Sequence, residues 1–266
     1  MIWGGGRTFL EAQFSAAIDA FYNLGVNAAS DPKAVQFLAF VHAQGQNFAL
    51  ADIQYAEPVS DAPIFDEYKA IPAIQHTTMI RTLANMTQEL NASNPDGFRE
   101  TYWATTYKLN KDLATPIEKI FYEEIAPKVN ATDFLPAITL QVITIPMLQQ
   151  MQKNGGNPLG LSVSEGPYLL ANSAMMWSDP TDDQSILQIN SNIRKRSIAV
   201  AQSMGLAEEY IYMNYASEFE DVIASYGAQN KARLQQIAAK YDPTGVYQTL
   251  QPGYFKLNGS PKTSTP

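Results

Sequence analysis

The densest concentration of reactive side-chain chemistry in this 266-residue chain is Tyr210-Ile211-Tyr212-Met213-Asn214-Tyr215, with three tyrosines and an amide. A phenol, ordinarily of pKa about 10, serves as a general base near neutral pH only when cations or hydrogen-bond donors stabilise its anion. Such a base would take a proton from a hydroxyl or an acidic carbon. In an extended conformation Tyr212 and Asn214 face one side and Met213 and Tyr215 the other. The same spacing suits a packed aromatic strand, and spacing alone leaves both readings open.

Few other groups compete for a catalytic role. With no cysteine there is no disulfide, thiolate metal site or thiol nucleophile, and two histidines, His42 and His76, are too few for a multi-histidine metal site. We expect no metal. The carboxylate pairs Glu123-Glu124 and Asp182-Asp183 lie in helical contexts, where a solvated face competes with acid–base work. Gly4-Gly5-Gly6 departs from a dinucleotide fingerprint at Phe9, and Gly155-Gly156 with Gly160 has Leu161 where a phosphate loop needs lysine. Both clusters read as turns.

The overall charge is 18 − 26 = −8, with 45% hydrophobic and 17% charged residues. An acidic chain without a dense Lys/Arg stripe lacks the footprint that nucleic acid or an anionic membrane demands, so neither is an expected partner. A chain of this mass would expose roughly 11,500 Å² folded against roughly 43,000 Å² unfolded. A sizeable core is therefore available. MIWGGGRT has neither the basic start nor the apolar stretch of a secretory signal and reads as the middle of a longer sequence. Sequons at Asn85, Asn91, Asn130 and Asn258 hint at secretion, although about two are expected by chance.

The elements that must position the tyrosine segment can be read from periodicity and caps. Strands are expected at about 35–43 and 47–56, as a hairpin, and at about 99–109, 137–144 and 168–178, each rich in aromatic and branched residues. Helices are expected at about 8–24 (Thr8 and Glu11 as capping box), 61–70, 77–91, 112–126 and 145–152, and from Asp179 as N-cap to Gly205. A last helical pair follows Ser217, with Glu220 completing a second capping box, and ends at the Asp242-Pro243-Thr244-Gly245 turn. Five strands separated by helices indicate an α+β fold.

Taken together, WGGGRT at 3–8, PIFDEY at 63–68, NGGNPLGL at 154–161, YMNYAS at 212–217 and KYDPTGVYQTLQPGYF at 240–255 give the chain a family likeness. Over about residues 3–257 it resembles the C-terminal part of FAD-linked oxidases of the berberine bridge enzyme-like group, in the vanillyl-alcohol oxidase superfamily, and a fungal-type member in particular. The resemblance implies a large antiparallel sheet with helices on one face, a substrate domain over 1–205, and a helical return segment over 206–257. A tail at 258–266 is expected to be disordered, and the FAD-binding module to be largely absent.

For function, the resemblance implies hydride transfer from a small-molecule substrate to FAD, followed by reoxidation with oxygen. Tyr215 matches the family's catalytic base, and Asn214 matches the asparagine beside the flavin ring. The chain reads Tyr215-Ala216-Ser217 where the family often has Y-x-D. Alternate sheet positions Tyr102, Gln141, Asn172 and Met176 are the substrate-facing candidates. FAD is expected in the complete enzyme but not on this chain alone, and the competing reading is a cofactor-free binding domain of the same fold. Self-association is expected through an apolar face bordered by Tyr212, Tyr215, Tyr254 and Phe255 near Trp3 to Arg7. Members of this family are often secreted.

Overall fold

The computed structural model describes residues 1–60, 62–251, 253 and 255–262. Its order is β1 (Ile2–Leu10), α1 (Phe14–Asn27), β2 (Ala34–Ala43), β3 (Gln46–Tyr55), α2 (Asp66–Ala70), β4 (Gln75–His76), β5 (Met79–Arg81) and α3 (Leu83–Ala92). There follow β6 (Arg99–Lys108), α4 (Lys111–Ile125), β7 (Leu135–Ile143), α5 (Ile145–Met151), β8 (Tyr168–Trp177), α6 (Asp183–Ser203), β9 (Ala207–Glu208), α7 (Ala228–Tyr241) and α8 (Val246–Thr249).

The described strands form one antiparallel sheet in the order β4-β1-β3-β2-β7-β8-β6-β9, with β5 also on β1. All five expected strands are its central members. Gln44 and Gly45 close the β2–β3 hairpin with φ of 52° and 73°, the left-handed pair that a two-residue turn between twisted strands favours.

The start of the chain departs from expectation. Residues 2–10 are an edge-side strand, Thr8 lies within it, and α1 begins at Phe14 without a side-chain cap. Gly4-Gly5-Gly6 is therefore neither turn nor helix start. A Cβ on Gly4 would lie 2.7 Å from the Ile53 carbonyl oxygen, and one on Gly5 2.6 Å from the Arg81 guanidinium, so glycine admits the β4–β5 crossing onto β1. Within the expected helix at 77–91, the first residues instead form β5, and Thr82 caps α3 by accepting from Asn85 N–H at 3.1 Å. Asp61, the expected start of another helix, lies outside the described residues.

Alternation decides what each face carries. Leu38, Phe40, Ile53, Leu140, Leu169 and Tyr107 point into one core shared with α1, α4 and α6. The carboxylate pairs serve this layer: Glu123 and Glu124 pair with Arg196, Asp182 with Lys128, and Asp183 with Arg99. The opposite face carries no helical layer of that kind. Part of it is covered by a second cluster, in which Ala104, Ile143 and Tyr168 of the sheet meet Tyr210, Ile211, Val222, Ile223 and Tyr226. Of the tail expected to be disordered, Lys262 donates to the Glu218 carbonyl at 2.9 Å, and 263–266 lie outside the described residues.

Candidate functional site

Strand pairing opens the site. β2 and β7 pair only from Phe37↔Gln141 to Val41↔Ala137. Beyond that point β2 stays with β3 as far as Ala34↔Tyr55, and β7 stays with β8 as far as Ile143↔Tyr168. The sheet parts there, and a cavity of about 330 Å³ lies at the parting. Thr144 ends β7 and caps α5, accepting from Met147 N–H at 3.4 Å, so the strand bearing Gln141 runs directly into the helix bearing Met147 and Met151.

A loop and the tyrosine segment close the other walls. A Cβ on Gly160 would lie 2.8 Å from the Tyr226 carbonyl oxygen, so glycine lets the 154–161 loop sit against Tyr226 while Leu159 lines the cavity. Residues 213–215 are a 3-10 turn rather than extended, with Tyr215 N–H donating to the Tyr212 carbonyl at 3.0 Å. That turn brings Tyr212 and Tyr215 to the same side, ring centroids 5.0 Å apart and nearly perpendicular, instead of to opposite sides. Asn214 is exposed and donates to the Tyr212 hydroxyl at 2.8 Å.

The segment is pinned by Glu220. Past β9, the outer edge of β6 has no further strand, and the Glu220 carboxylate takes that place by accepting from Ala104 N–H at 3.3 Å. It also accepts from Ser217 N–H at 2.8 Å and Arg194 Nε at 2.9 Å. The expected capping box thus exists, but it ties a turn to the sheet and does not start a helix; α7 begins at Ala228. Burial pushes the Glu220 carboxyl above its ordinary range, against the opposing pull of the Ser217 amide and the Arg194 guanidinium.

Tyr102, Gln141, Asn172 and Met176 all fall on the uncovered face of the sheet, through the pairs Tyr102↔Ala174, Gln141↔Leu170 and Asn172↔Thr139. Gln141 comes closest to Tyr215, its amide donating to the hydroxyl at 3.5 Å, a long contact of the kind that tightens around a ligand. Burial, then Glu100, then Tyr215 raise the Tyr102 hydroxyl above its ordinary range, and burial does the same to Tyr210. Both stay neutral donors. Asn172 is buried, and its Oδ1 has no hydrogen-bond partner among the described residues. Met176 lies further along β8, opposite Leu135. His42 bonds Asn47 at 2.7 Å across the hairpin, and His76 lies on the edge strand β4.

The comparisons agree with this architecture. A family model described as "Berberine and berberine like" matches residues 211–252. The chain is 31% identical to the FAD-dependent monooxygenase FUP4 of Fusarium proliferatum over 96% of its own length and 52% of that protein's. Residues 211–252 carry the berberine-like pattern, and nearly the whole chain is related to an FAD-dependent monooxygenase. A bifunctional solanapyrone synthase of Alternaria solani is 30% identical over 96% of this chain and 49% of that one. The chain thus spans about half the length of the curated relatives it matches. The berberine-like fold is shared with a xylooligosaccharide oxidase from Myceliophthora thermophila C1, solved with xylobiose, at TM-score 0.62, 12% identity, and coverage of 99% and 56% of the two chains.

Sequence reasoning missed parts of this candidate site. Met147, Met151 and Leu159 carry no signal that would join them to a tyrosine 60 residues on. Leu170 was legible, since it alternates in phase with Asn172. Glu220 was noted only as a cap. The aromatic face was expected near Trp3 to Arg7, yet β3 and β2 separate β1 from the parting. Tyr212, Tyr215 and Phe255 are half-buried, and Tyr254 lies outside the described residues.

Proposed function

We propose that this chain is the substrate-binding half of an FAD-dependent oxidoreductase and that Tyr215 is its general base. The observation that carries this reading is the half-buried Tyr215 hydroxyl at a largely apolar cavity, faced by the Gln141 amide, on the sheet face that lacks a helical cover. A substrate hydroxyl or acidic C–H seated against Tyr215 gives up its proton to the deprotonated Tyr215 oxygen, which becomes the neutral phenol. Gln141 donates to that oxygen, and water is excluded by Leu170, Met147 and Tyr210. Tyr102, Asn172 and Met176 line the rest of the face and orient the substrate, the orphaned Asn172 oxygen accepting a hydrogen bond from it.

The residues present fit the ring end of a flavin. The exposed Asn214 amide, which donates to the Tyr212 hydroxyl, offers a donor for a ring edge. FAD, when bound, supplies the hydride acceptor and passes electrons to oxygen. Of the glycines that might cradle phosphate, Gly4 and Gly5 lie against β3 and Arg81 and Gly160 against Tyr226, while Gly155 stands clear of other atoms; weak binding of FAD by the chain alone belongs to the proposal. Self-association of the isolated chain is part of the same proposal. Met1, Met79, Ile80 and Leu83 are exposed around the β1–β5 edge and support it.

Tyr215→Phe tests the base. In a flavin-loaded full-length protein carrying this chain, flavin reduction should slow by roughly 10² to 10⁴ with folding intact. An unchanged reduction rate would show Tyr215 to be a packing residue.

A further inference from the structure

The parting of β2 from β7 also bears on what the site binds. The cavity does not stop at the uncovered face: its lining runs from Tyr215 and Gln141 between the strands to Ala34 of β2 and to Leu24 of α1, which belongs to the core on the other side. Its walls are Val142, Ile143, Leu159 and Leu170. Polar groups gather at the mouth. The one amide at depth, Gln36, is already engaged, donating to the Phe21 carbonyl at 2.6 Å and accepting from the Tyr68 hydroxyl at 2.8 Å. A polar group pushed to that depth would lose its water without gaining a partner. Met147 and Met151 give the wall two flexible, polarisable side chains that can adjust to a variable occupant.

We infer that this slot receives an apolar, hydrocarbon arm of the substrate, held through the sheet while the reacting group lies against Tyr215. The inference rests on the reading of Tyr215 as the substrate site. Its volume of about 330 Å³ is at the lower end of the roughly 300–1,000 Å³ of small-molecule sites, enough for an arm but not for a large ligand entire. The substrates it selects therefore pair a hydroxylated or acidic head with an unbranched or compact hydrocarbon tail. Ala34 sets the depth of the slot, because a larger residue there fills it from the floor.

A series of 4-alkylphenols from methyl to octyl, titrated calorimetrically into the full chain, tests this. Each added methylene buried in the slot should tighten binding by roughly fourfold until the slot is full, after which affinity levels off. Ala34→Leu should bring the plateau to a shorter alkyl group, and Met151→Ala should move it to a longer one. A flat series, a series that rises without a plateau, or a plateau unmoved by both variants would overturn the slot. Tyr215→Phe separates the two readings. A flat alkyl series with flavin reduction crippled by Tyr215→Phe removes the slot and keeps the base. A graded series with flavin reduction unaffected by that substitution removes the base and keeps the slot as a binding site.

Discussion

Along β7, Ile138, Leu140 and Val142 disappear beneath the helices while Ala137, Thr139 and Gln141, each one residue away, stay half-buried on the other face. The same contrast repeats on β8, where Leu169, Ala171 and Met175 are core and Ala174 and Met176 remain accessible. On the helical face the chain supplies its own complement, down to Ser173, which bonds the Asn190 side chain from α6. On the other face it supplies a partial one, the tyrosine segment held by Glu220. The accessible surface of 13568 Å² exceeds the roughly 11,500 Å² of a compact chain of this mass. One face is closed by the chain's own helices, and the other is only partly covered.

Neighbouring residues on one strand should separate these roles most sharply. Leu140→Ala leaves a hole in the closed core and should cost about 3–5 kcal/mol, read as a lowered urea midpoint. Thr139→Ala, on the uncovered face, should cost under about 1 kcal/mol. Comparable losses at the two positions would erase the distinction.

The contrast also explains what the sequence disclosed. All five central strands and most helices were legible because they bury a stripe against a full layer, which imposes strict periodicity. β1 was not. Its glycines have no side chains to alternate, and a spurious Thr8–Glu11 capping pattern drew the helix start forward. The candidate site was legible only in part: Tyr102, Gln141, Asn172 and Met176, taken from alternate positions, share one sheet face, but the 3-10 turn that brings Tyr215 beside Tyr212 is held by tertiary contacts, Glu220 to the Ala104 amide and Tyr226 to Tyr210, that the local Ser217–Glu220 pattern does not announce.

Those anchors give the next test. Glu220→Ala removes the acceptor for two amides and leaves Arg194 without its partner, at a cost of about 3 kcal/mol. Glu220→Gln keeps an oxygen for the amides and should lose less. In both variants the Ala104 and Ser217 amides should exchange hydrogen faster than those of the β7–β8 ladder. Uniform loss of protection across the sheet would mean that Glu220 supports the whole fold rather than the uncovered face alone.

The smallest expected effect tests whether the helical layer is as complete as it looks. Glu118 on α4 is half-buried beside Glu11, and burial first, then the Glu11 carboxylate, push its carboxyl up to about 7, against a weaker opposing pull from Lys119. The hydroxyl of Tyr122, a turn along the helix, is itself raised by burial and by these carboxylates and stays neutral throughout. Between the ordinary value of 4.5 and about 7, the folded chain holds a proton that the unfolded chain has released. Stability must then fall as pH rises through that window. Partial exposure limits the loss to about 1 kcal/mol. Glu118→Gln should abolish the decline, matching the parent at pH about 4 and exceeding it by about 1 kcal/mol at pH about 8, with Glu11→Gln intermediate. Urea titrations across that range decide the matter. If the parent's stability stays level while the Gln variant gains nothing at high pH, solvent reaches Glu118 freely and the helical layer contains no buried carboxyl at this position.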